Sequence, residues 1–359
     1  MSTRKTSIYD SHVKHGGKVV EFAGWYLPVD FTGLINEHNA VRNDVGIFDV
    51  SHMGEVTVKG ERATEYVQHI IANDVKKLYD GKVLYTPMCY PHGGIVDDLL
   101  VYRVNEHEYL LVVNASNTEK DYDWFVSNNH HGVEIKNVSD QYFQLAVQGP
   151  NAKTLMEKCF KLDLSDIKFF HFKKISLNGV PCIVSRTGYT GENGFEIYGP
   201  WNDGGKLFDA IVAAGAAPCG LGCRDTLRLE AALMLYGNDI NNETTPLEAG
   251  IDIFIKLDSD DFIGRDALIK QKQDGLKRRL IGFTLEEKGI PRHDYLVVDE
   301  HGSTVGVVTS GTLSPSLGIP VGLAYVQTNK LNNGTPLYVQ IRKNRIMLKQ
   351  MKLPFLKKY

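Results

Sequence analysis

Two adjacent acids inside an apolar run constrain the fold of this chain more than any other feature of its sequence. Asp97 and Asp98 stand within residues 95–104, IVDDLLVYRV, a segment otherwise dense in isoleucine, valine, leucine and tyrosine. A glycine pair at 93–94 precedes this segment. The pattern predicts a hairpin turn that leads into a largely buried strand.

Side chains alternate between the two faces of a strand, so Asp98, Leu100 and Tyr102 share one face and Asp97 lies on the other. A carboxylate beside apolar side chains is costly to bury. It must be hydrogen-bonded, shifted in pKa, or directed at a pocket whose ligand supplies the partner. The alternative is an acid that caps the glycine turn, since Asp and Gly often mark turns.

The composition is that of an ordinary globular protein. The chain has 359 residues, of which 43% are hydrophobic and 23% charged, and this length suggests roughly two or three domains. The net charge of -3 favours neither nucleic acid nor a membrane surface as a partner. Apolar runs stay well short of the roughly 18 residues of a membrane span. The N-terminal segment resembles neither a signal nor a transit peptide, so we expect a bacterial-type, cytoplasmic protein.

Five cysteines, an odd number, stand at 89, 159, 182, 219 and 223. Cys219 and Cys223 lie on a glycine-rich turn without a matching second pair, which favours reduced thiols. The twelve histidines show no metal-ligand spacing, so we expect no metal site. His52, in a Ser-His-Met-Gly turn, is a candidate base, although a structural role is the better interpretation.

A second acid stands in an apolar strand pattern further along the chain. Residues 182–198, CIVSRTGYTGENGFEIY, predict two strands around a turn that contains three glycines. Glu196 falls in the second strand. It is either a site residue or the outward-facing member of an alternating strand, and the pattern does not decide between them.

Arg224 marks the third informative segment, 220–236. The periodicity predicts a helix over 226–236, with Asp225 at its N-cap and Arg224 just before it. A guanidinium beside the free N–H groups of a helix start would form an anion clamp. The glycines at 220 and 222 are not a dinucleotide fingerprint, because the third glycine and the preceding strand are missing.

From Leu280 the pattern changes to short strands and turns, which predicts an all-β module of roughly 80 residues, of sandwich or jelly-roll type. The last 19 residues, 341–359, hold seven Lys or Arg and no acid. This basic segment is either a solvated edge strand with a frayed end or a docking surface for an acidic protein.

Taken together, these motifs resemble the glycine cleavage T-protein family, the aminomethyltransferases of the tetrahydrofolate-binding T-protein fold. The resemblance covers essentially the whole chain. It rests on these segments: VEFAGWYLPV (20–29), EHNAVRNDVGIFDVSHMGE (37–55), GGIVDDLLVY (93–102), SRTGYTGENGFEIYG (185–199), GLGCRDTLRLEAALMLYGNDI (220–240), DFIGRDAL (261–268) and TSGTLSPSLG (309–318).

This resemblance implies an α+β fold of three domains, with mixed and antiparallel sheets around a central folate site. The implied boundaries are residues 1–54 plus 141–275 for a discontinuous first domain, 55–140 for an α+β second domain, and 280–359 for a C-terminal β-barrel or jelly-roll domain.

The implied reaction passes an aminomethyl group from the dihydrolipoyl arm of the lipoylated H-protein to tetrahydrofolate. Its products are 5,10-methylenetetrahydrofolate, ammonia and the dihydrolipoyl H-protein. Tetrahydrofolate is the co-substrate, and neither metal nor flavin is expected. The P-protein and L-protein of the system are indirect partners, and neither nucleic acid nor membrane is expected as a partner.

The resemblance also implies roles for individual residues. Asp98 is the expected catalytic residue, which agrees with the strand-face argument, and Glu196 is expected to bind the pterin edge. The remaining implied folate contacts are Met53, Tyr85, Leu100, Tyr102, Asn114, Tyr189 and Arg224. For Asn114 a helix cap, and for Arg224 a structural role in its turn, stay open as alternatives.

Two related classes fit less well. A demethylating flavoprotein requires a dinucleotide-binding βαβ unit, and no such fingerprint is present. The folate-binding iron–sulfur assembly factors of this superfamily carry a K-G-C-x-x-G-Q-E stretch, where this chain reads RLEAALMLYGNDI.

Overall fold

A computed structural model describes residues 3–331 and 334–356 of the chain. They form two compact units. The first comprises residues up to 67, 75–86 and 99–225, and the second comprises 68–74, 87–98 and the residues from 226 onward. The chain crosses between the units several times, and two strands and two helices begin in one unit and end in the other.

The strands are β1 Arg4–Lys5, β2 Lys18–Phe22, β3 Trp25–Asp30, β4 Gly46–Asp49, β5 Gly54–Lys59, β6 Val83–Cys89, β7 Ile95–Asn105, β8 Glu108–Val113, β9 Glu134–Asn137, β10 Tyr142–Gln148, β11 Phe172–Leu177, β12 Val180–Ser185, β13 Gly194–Pro200, β14 Ala217–Pro218, β15 Arg278–Leu285, β16 Leu296–Asp299, β17 Thr304–Leu313, β18 Pro320–Gln327, β19 Leu337–Ile341 and β20 Asn344–Met351. The helices are α1 Tyr9–Lys14, α2 Leu34–Asn43, α3 Ala63–Ile70, α4 Thr118–Ser127, α5 Ala152–Phe160, α6 Gly204–Ala213, α7 Leu221–Glu230 and α8 Arg265–Asp274.

The first unit is built on two large sheets. One is a six-stranded sheet in the order β11-β12-β13-β10-β4-β14, and the other a five-stranded sheet in the order β6-β7-β8-β5-β9. Helices α5 and α6 cover the six-stranded sheet, where Met156 and Phe208 pack with Ile47, Leu145 and Ile197 in one buried cluster. Phe195 and Ile197 of β13 belong to this cluster, so the apolar interior fixes the strand that carries Glu196.

In the second unit, β15-β18-β17-β16-β19-β20 close into a barrel. Its interior is lined by side chains such as Phe283, Val308, Ala324 and Val339. The predicted all-β module is therefore a closed barrel. The fold is α+β with mixed and antiparallel sheets, as predicted.

Much of the basic C-terminal segment belongs to this barrel. Strand β20 pairs with β15 on one side and with β19 on the other. It is therefore not an edge strand, and the chain is not frayed there. Lys357 and Lys358 lie outside the described residues.

One predicted helix was displaced. Helix α7 begins at Leu221 and ends at Glu230, whereas the sequence pattern predicted 226–236. Asp225 is therefore inside the helix and does not cap it. The next residues turn away from the helix, with Ala232 at a φ of 55°.

Within residues 3–331 and 334–356, helices long and apolar enough to cross a membrane are absent. The three-domain boundaries expected from the sequence stay a prediction.

Candidate functional site

Two rows of paired residues cross one face of the five-stranded sheet. Glu55 on β5 pairs with Val112 on β8, which pairs in turn with Leu100 on β7. The next row joins Thr57, Leu110 and Tyr102 in the same way. Directly paired residues point to the same face. Leu100 and Tyr102 therefore share a face, as the alternation of the strand predicted.

An aromatic cluster covers this face. Tyr102 and Tyr198 are fully buried and belong to it, and Met53 and Leu100 pack against it as half-buried members. The hydroxyl groups of Tyr102 and Tyr198 lie 2.9 Å apart, and that of Tyr102 lies 3.4 Å from the hydroxyl of Thr187. Burial raises the pKa of Tyr102, so this hydroxyl stays protonated.

Glu196 stands at the edge of the cluster. It is 6% exposed, on a strand that is buried from Gly194 to Gly199, so it is not the outward-facing acid of an alternating strand. Gln144 Nε2 donates to Glu196 Oε1 at 3.2 Å, and the hydroxyl of Thr187 donates to Oε2. Burial raises the pKa of Glu196, while the bond from Thr187 and the charge of Arg224 oppose that rise.

Arg224 supplies the cation opposite this carboxylate. Its guanidinium carbon lies 4.6 Å from the centroid of the Tyr189 ring, a cation–π contact, and both residues are half-buried. Arg224 is the fourth residue of α7, and its backbone N–H donates to Gly220 O at 3.2 Å. The sequence predicted that the Arg224 side chain and free backbone N–H groups at a helix start would bind an anion together. The backbone part of this prediction is wrong for Arg224, because its N–H donates within the helix.

The charge of Arg224 also affects His52. The sequence had favoured a structural role for this histidine over that of a base. Burial, aided by Arg224 and opposed by Asp49, lowers the pKa of His52 to about 4. Among the described residues, Nδ1 of this buried ring has no hydrogen-bond partner. A neutral imidazole therefore stands next to the guanidinium. Its turn position in the sequence gave no signal of the neighbouring charges.

Asn114 and Tyr85 are half-buried, at different places in the five-stranded sheet. Asn114 follows the last residue of β8, and its side chain makes no capping hydrogen bond to the short 3-10 turn that begins there. Because the Asn114 side chain makes no capping hydrogen bond, the helix-cap alternative for this residue is not supported. Tyr85 lies on β6.

Asp98 is the fourth residue of β7 and is half-buried, while Asp97 is fully buried. The turn that precedes the strand is closed by backbone bonds between Tyr90 and the glycines at 93–94. Asp98 therefore lies within the strand, two residues before Leu100, and not at the turn.

Glu55 is a residue that sequence analysis missed. It is 1% exposed, and within the described part of the chain neither of its carboxyl oxygens has a hydrogen-bond partner. Burial raises the pKa of Glu55 well above its ordinary range, so the group is neutral. The only sequence signal is its position at the start of an alternating strand.

Glu37, Cys219 and Cys223 form a buried group whose ligand atoms lie within 4.8 Å of one another. Backbone N–H groups of Phe31, Thr32 and Gly33 donate to Oε1 of this carboxylate at 2.6, 2.8 and 3.1 Å. Gly220 donates to Oε2 at 2.8 Å. Burial raises the pKa of the Cys223 thiol. The carboxylate therefore joins two loops through these backbone hydrogen bonds.

Comparisons with known proteins show the family of this chain. The family model described as the GCVT N-terminal domain matches residues 8–259, and the glycine cleavage T-protein C-terminal barrel domain matches 278–357. An aminomethyltransferase of Listeria monocytogenes serotype 4b is 52% identical over 356 residues, which are 99% of this chain and 98% of the relative. One from Natranaerobius thermophilus is 48% identical, with 98% of both chains covered.

Among solved structures, the glycine cleavage system aminomethyltransferase T from Bartonella henselae superposes with a TM-score of 0.93 at 31% identity. The superposition covers 99% of this chain and 98% of that one. The chain therefore belongs to the glycine cleavage T-protein family of aminomethyltransferases.

Proposed function

We propose that the buried Glu196, Arg224 and the aromatic cluster bind tetrahydrofolate as the acceptor in the aminomethyl transfer of this family. The reaction moves the aminomethyl group of the glycine cleavage system to tetrahydrofolate, with release of ammonia. The donor in this proposal is the dihydrolipoyl arm of the lipoylated H-protein, and the P-protein and L-protein act before and after this step.

The observation that carries the proposal is a buried acid, Glu196, under the electrostatic influence of Arg224, whose guanidinium stacks on the Tyr189 ring. The two Glu196 oxygens each accept one hydrogen bond, and a carboxylate has about four acceptor positions. Glu196 can therefore accept further hydrogen bonds from the N–H groups on the planar amide and amino edge of a pterin. Tyr102 and Tyr189, with Tyr85 and Leu100, supply flat and apolar walls for the rings. Met53, Asn114 and Arg224 add further contacts.

Asp98 is the proposed catalytic residue. A carboxylate on the strand face of Leu100 and Tyr102 can orient a folate nitrogen as nucleophile. It also stabilises the positive iminium character that develops as ammonia leaves, an effect that is larger in a site from which water is excluded.

The carbon that is transferred has the same oxidation level in the aminomethyl thioether and in the methylene bridge. The proposed step therefore needs no redox cofactor such as a flavin. We also place the protein in the cytoplasm, because all five cysteines lie in the described part of the chain and remain thiols.

The test is ammonia release from aminomethyl-loaded H-protein in the presence of tetrahydrofolate, measured for the wild type, Asp98→Asn and the exposed control Asp140→Asn. We expect tetrahydrofolate-dependent release by the wild type and the control. Asp98→Asn should lower turnover by about 10²-fold, with folate affinity nearly unchanged. Unchanged turnover in Asp98→Asn would remove this residue from the mechanism. A wild type that binds folate without releasing ammonia would contradict the proposed transfer.

A further inference from the structure

Five buried polar side chains form a closed ring of hydrogen bonds at the candidate site. Gln144 Nε2 donates to Glu196 Oε1 at 3.2 Å and to the Tyr198 hydroxyl at 3.1 Å. The Tyr198 hydroxyl lies 2.9 Å from that of Tyr102, which lies 3.4 Å from that of Thr187. The Thr187 hydroxyl donates to Glu196 Oε2 and closes the ring. These five side chains, each at most 6% exposed, are referred to as the Glu196 ring.

Strand register fixes the backbone of three members of this ring. Gln144 on β10 pairs directly with Tyr198 on β13, so the two side chains lie on the same face of the six-stranded sheet. Glu196 stands two residues before Tyr198 on the same strand and therefore shares this face. Tyr102 comes from β7 of the five-stranded sheet. The Glu196 ring thus joins the two large sheets of the first unit.

The chemistry of the groups gives the ring one direction. An amide nitrogen has two hydrogens to donate and accepts none, whereas an ionised carboxylate only accepts. Gln144 must therefore present its nitrogen, and Tyr198 accepts from it and keeps its own hydrogen for Tyr102. Because the single hydrogen of Thr187 goes to Glu196, Tyr102 in turn donates to Thr187. Both branches of the ring start at Gln144 and end at Glu196, one on each carboxylate oxygen.

Gln144 holds this orientation although its amide oxygen gains nothing from it. Oε1 of Gln144 is buried and has no hydrogen-bond partner among the residues that the structure describes. An unsatisfied buried acceptor is costly. Turning the amide over would let Oε1 accept from the Tyr198 hydroxyl, but it would also set this oxygen against the Glu196 carboxylate. The arrangement therefore favours donation to Glu196 over satisfaction of the amide.

We propose that Gln144, Thr187 and Tyr198 are positioning residues, which hold Glu196 ionised and in a single orientation so that its remaining acceptor positions face the pterin edge. This inference rests on the proposed function, because it concerns the acid to which the pterin is assigned there. A carboxylate fixed at both oxygens selects a ligand edge with two adjacent N–H donors and disfavours an edge that presents acceptors.

The ionised state of Glu196 depends on the groups that face it. Burial raises the pKa of Glu196, and the hydrogen bonds of the ring and the charge of Arg224 oppose that rise. Burial also raises the pKa of Tyr102 and of Tyr198, and the Glu196 charge adds to both rises, so these two hydroxyls stay protonated. Removing a donor from the ring therefore raises the pKa of Glu196 further. Folate affinity, which needs the ionised acid, is then lost at a higher pH as the solution is acidified.

The experiment compares Thr187→Val with Thr187→Ser by fluorescence titration with tetrahydrofolate between about pH 5 and 8. Thr187→Val keeps the shape of the side chain without its hydroxyl. It should raise Kd by about tenfold or more at pH 7, the scale of one hydrogen bond to a charged group, and move the acid midpoint of binding upward. Thr187→Ser keeps the hydroxyl and should bind more tightly than Thr187→Val. A role in packing alone predicts the opposite order, because serine lacks the methyl group and valine retains it.

Gln144→Met supplies an independent test on the other branch and should likewise raise both Kd and the acid midpoint. The control is Tyr109→Phe, which removes a buried hydroxyl that lies 2.7 Å from Thr64 in the same unit and should match the wild type. Thr187→Val binding as tightly as Thr187→Ser, or an unaltered acid midpoint in Gln144→Met, would overturn the inference. Failure of the proposed function is distinct, because the wild type itself would then not bind tetrahydrofolate.

Discussion

The guanidinium of Arg224 stacks on the ring of Tyr189 at 4.6 Å, and its charge reaches two other buried groups. Burial lowers the pKa of His52, and Arg224 adds to this decrease. Burial raises the pKa of Glu196, and the bond from Thr187 and the charge of Arg224 oppose this rise. One cation therefore influences the protonation of both an acid and a base.

Arg224→Gln should weaken tetrahydrofolate binding by about tenfold or more, since a polar contact and the charge that opposes the rise in the pKa of Glu196 are both lost. Because the pKa of Glu196 then rises further, affinity in the variant should decrease at a higher pH than in the wild type as the pH is lowered. Fluorescence titration with tetrahydrofolate between about pH 5 and 8 measures both effects.

The control for this variant is Arg186→Gln, which removes an arginine that donates to Asn193 at 3.2 Å in the same unit. It should retain the wild-type affinity and pH profile. Equal affinity of Arg224→Gln and Arg186→Gln across the pH range would show that the Arg224 contact is structural only.

The sequence predicted that Asp98 and Glu196 lie within apolar strands, and the structure confirms both positions. Their roles in binding and catalysis stay predictions. Helix α7 was misplaced because the glycines at 220 and 222 suggested a loop. A Cβ atom at Gly220 would lie 2.4 Å from Val29 O, so this glycine permits close packing against β3.

His52 and Glu55 were harder to assess, because what distinguishes them is burial and the charge of residues distant in sequence. Their neighbours in the chain form an ordinary turn and an alternating strand. The strand pattern alone did not predict that the C-terminal strands close into a barrel, since strand pairing depends on register across the whole module. The resemblance to the family implied a barrel or a jelly roll, and the structure shows the barrel.

His52 should make the protein sensitive to acid. The pKa of His52 in the folded protein is about 4, below the ordinary value of 6.5. Between pH 4 and pH 6.5 the unfolded chain therefore binds more protons than the folded one. Stability is then fully present above pH 6.5 and is lost as the pH falls towards 4, by about 3 kcal/mol at most. His52→Gln should remove that part of the loss, as measured by urea unfolding at several pH values.

The exposed His107→Gln serves as the control and should keep the wild-type dependence on pH. The account of His52 would be incorrect if His52→Gln lost as much stability as the wild type between pH 6.5 and 4.

Glu55 should destabilise the protein at high pH. Its folded pKa lies well above the ordinary value of 4.5, so the folded chain retains a proton that the unfolded chain releases as the pH rises. Stability therefore decreases from pH 4.5 upward until the folded group itself ionises. Glu55→Gln should be more stable than the wild type at pH 8 by about 1 kcal/mol or more, and nearly equal to it at pH 4.

Thermal unfolding at both pH values tests this, with Glu134→Gln on the neighbouring strand β9 as an exposed control. A Glu55→Gln variant that is less stable than the wild type at pH 8 would mean that the ionised carboxylate has a stabilising partner.

Gly220→Ala should destabilise the first unit, because the added methyl group cannot avoid the backbone oxygen of Val29 at 2.4 Å. We expect a loss of about 1–3 kcal/mol, the usual cost of overpacking. Folate affinity should fall as well, since Arg224 follows one helical turn later and depends on this packing for its position.

Gly205→Ala in α6 is the control. The nearest neighbour of its added Cβ atom is the Ser11 hydroxyl at 3.2 Å, which is able to rotate away. Urea unfolding and tetrahydrofolate titration of both variants measure the two effects. Full stability of Gly220→Ala would indicate that β3 moves away from α7 at little cost, and the glycine would then have no packing role.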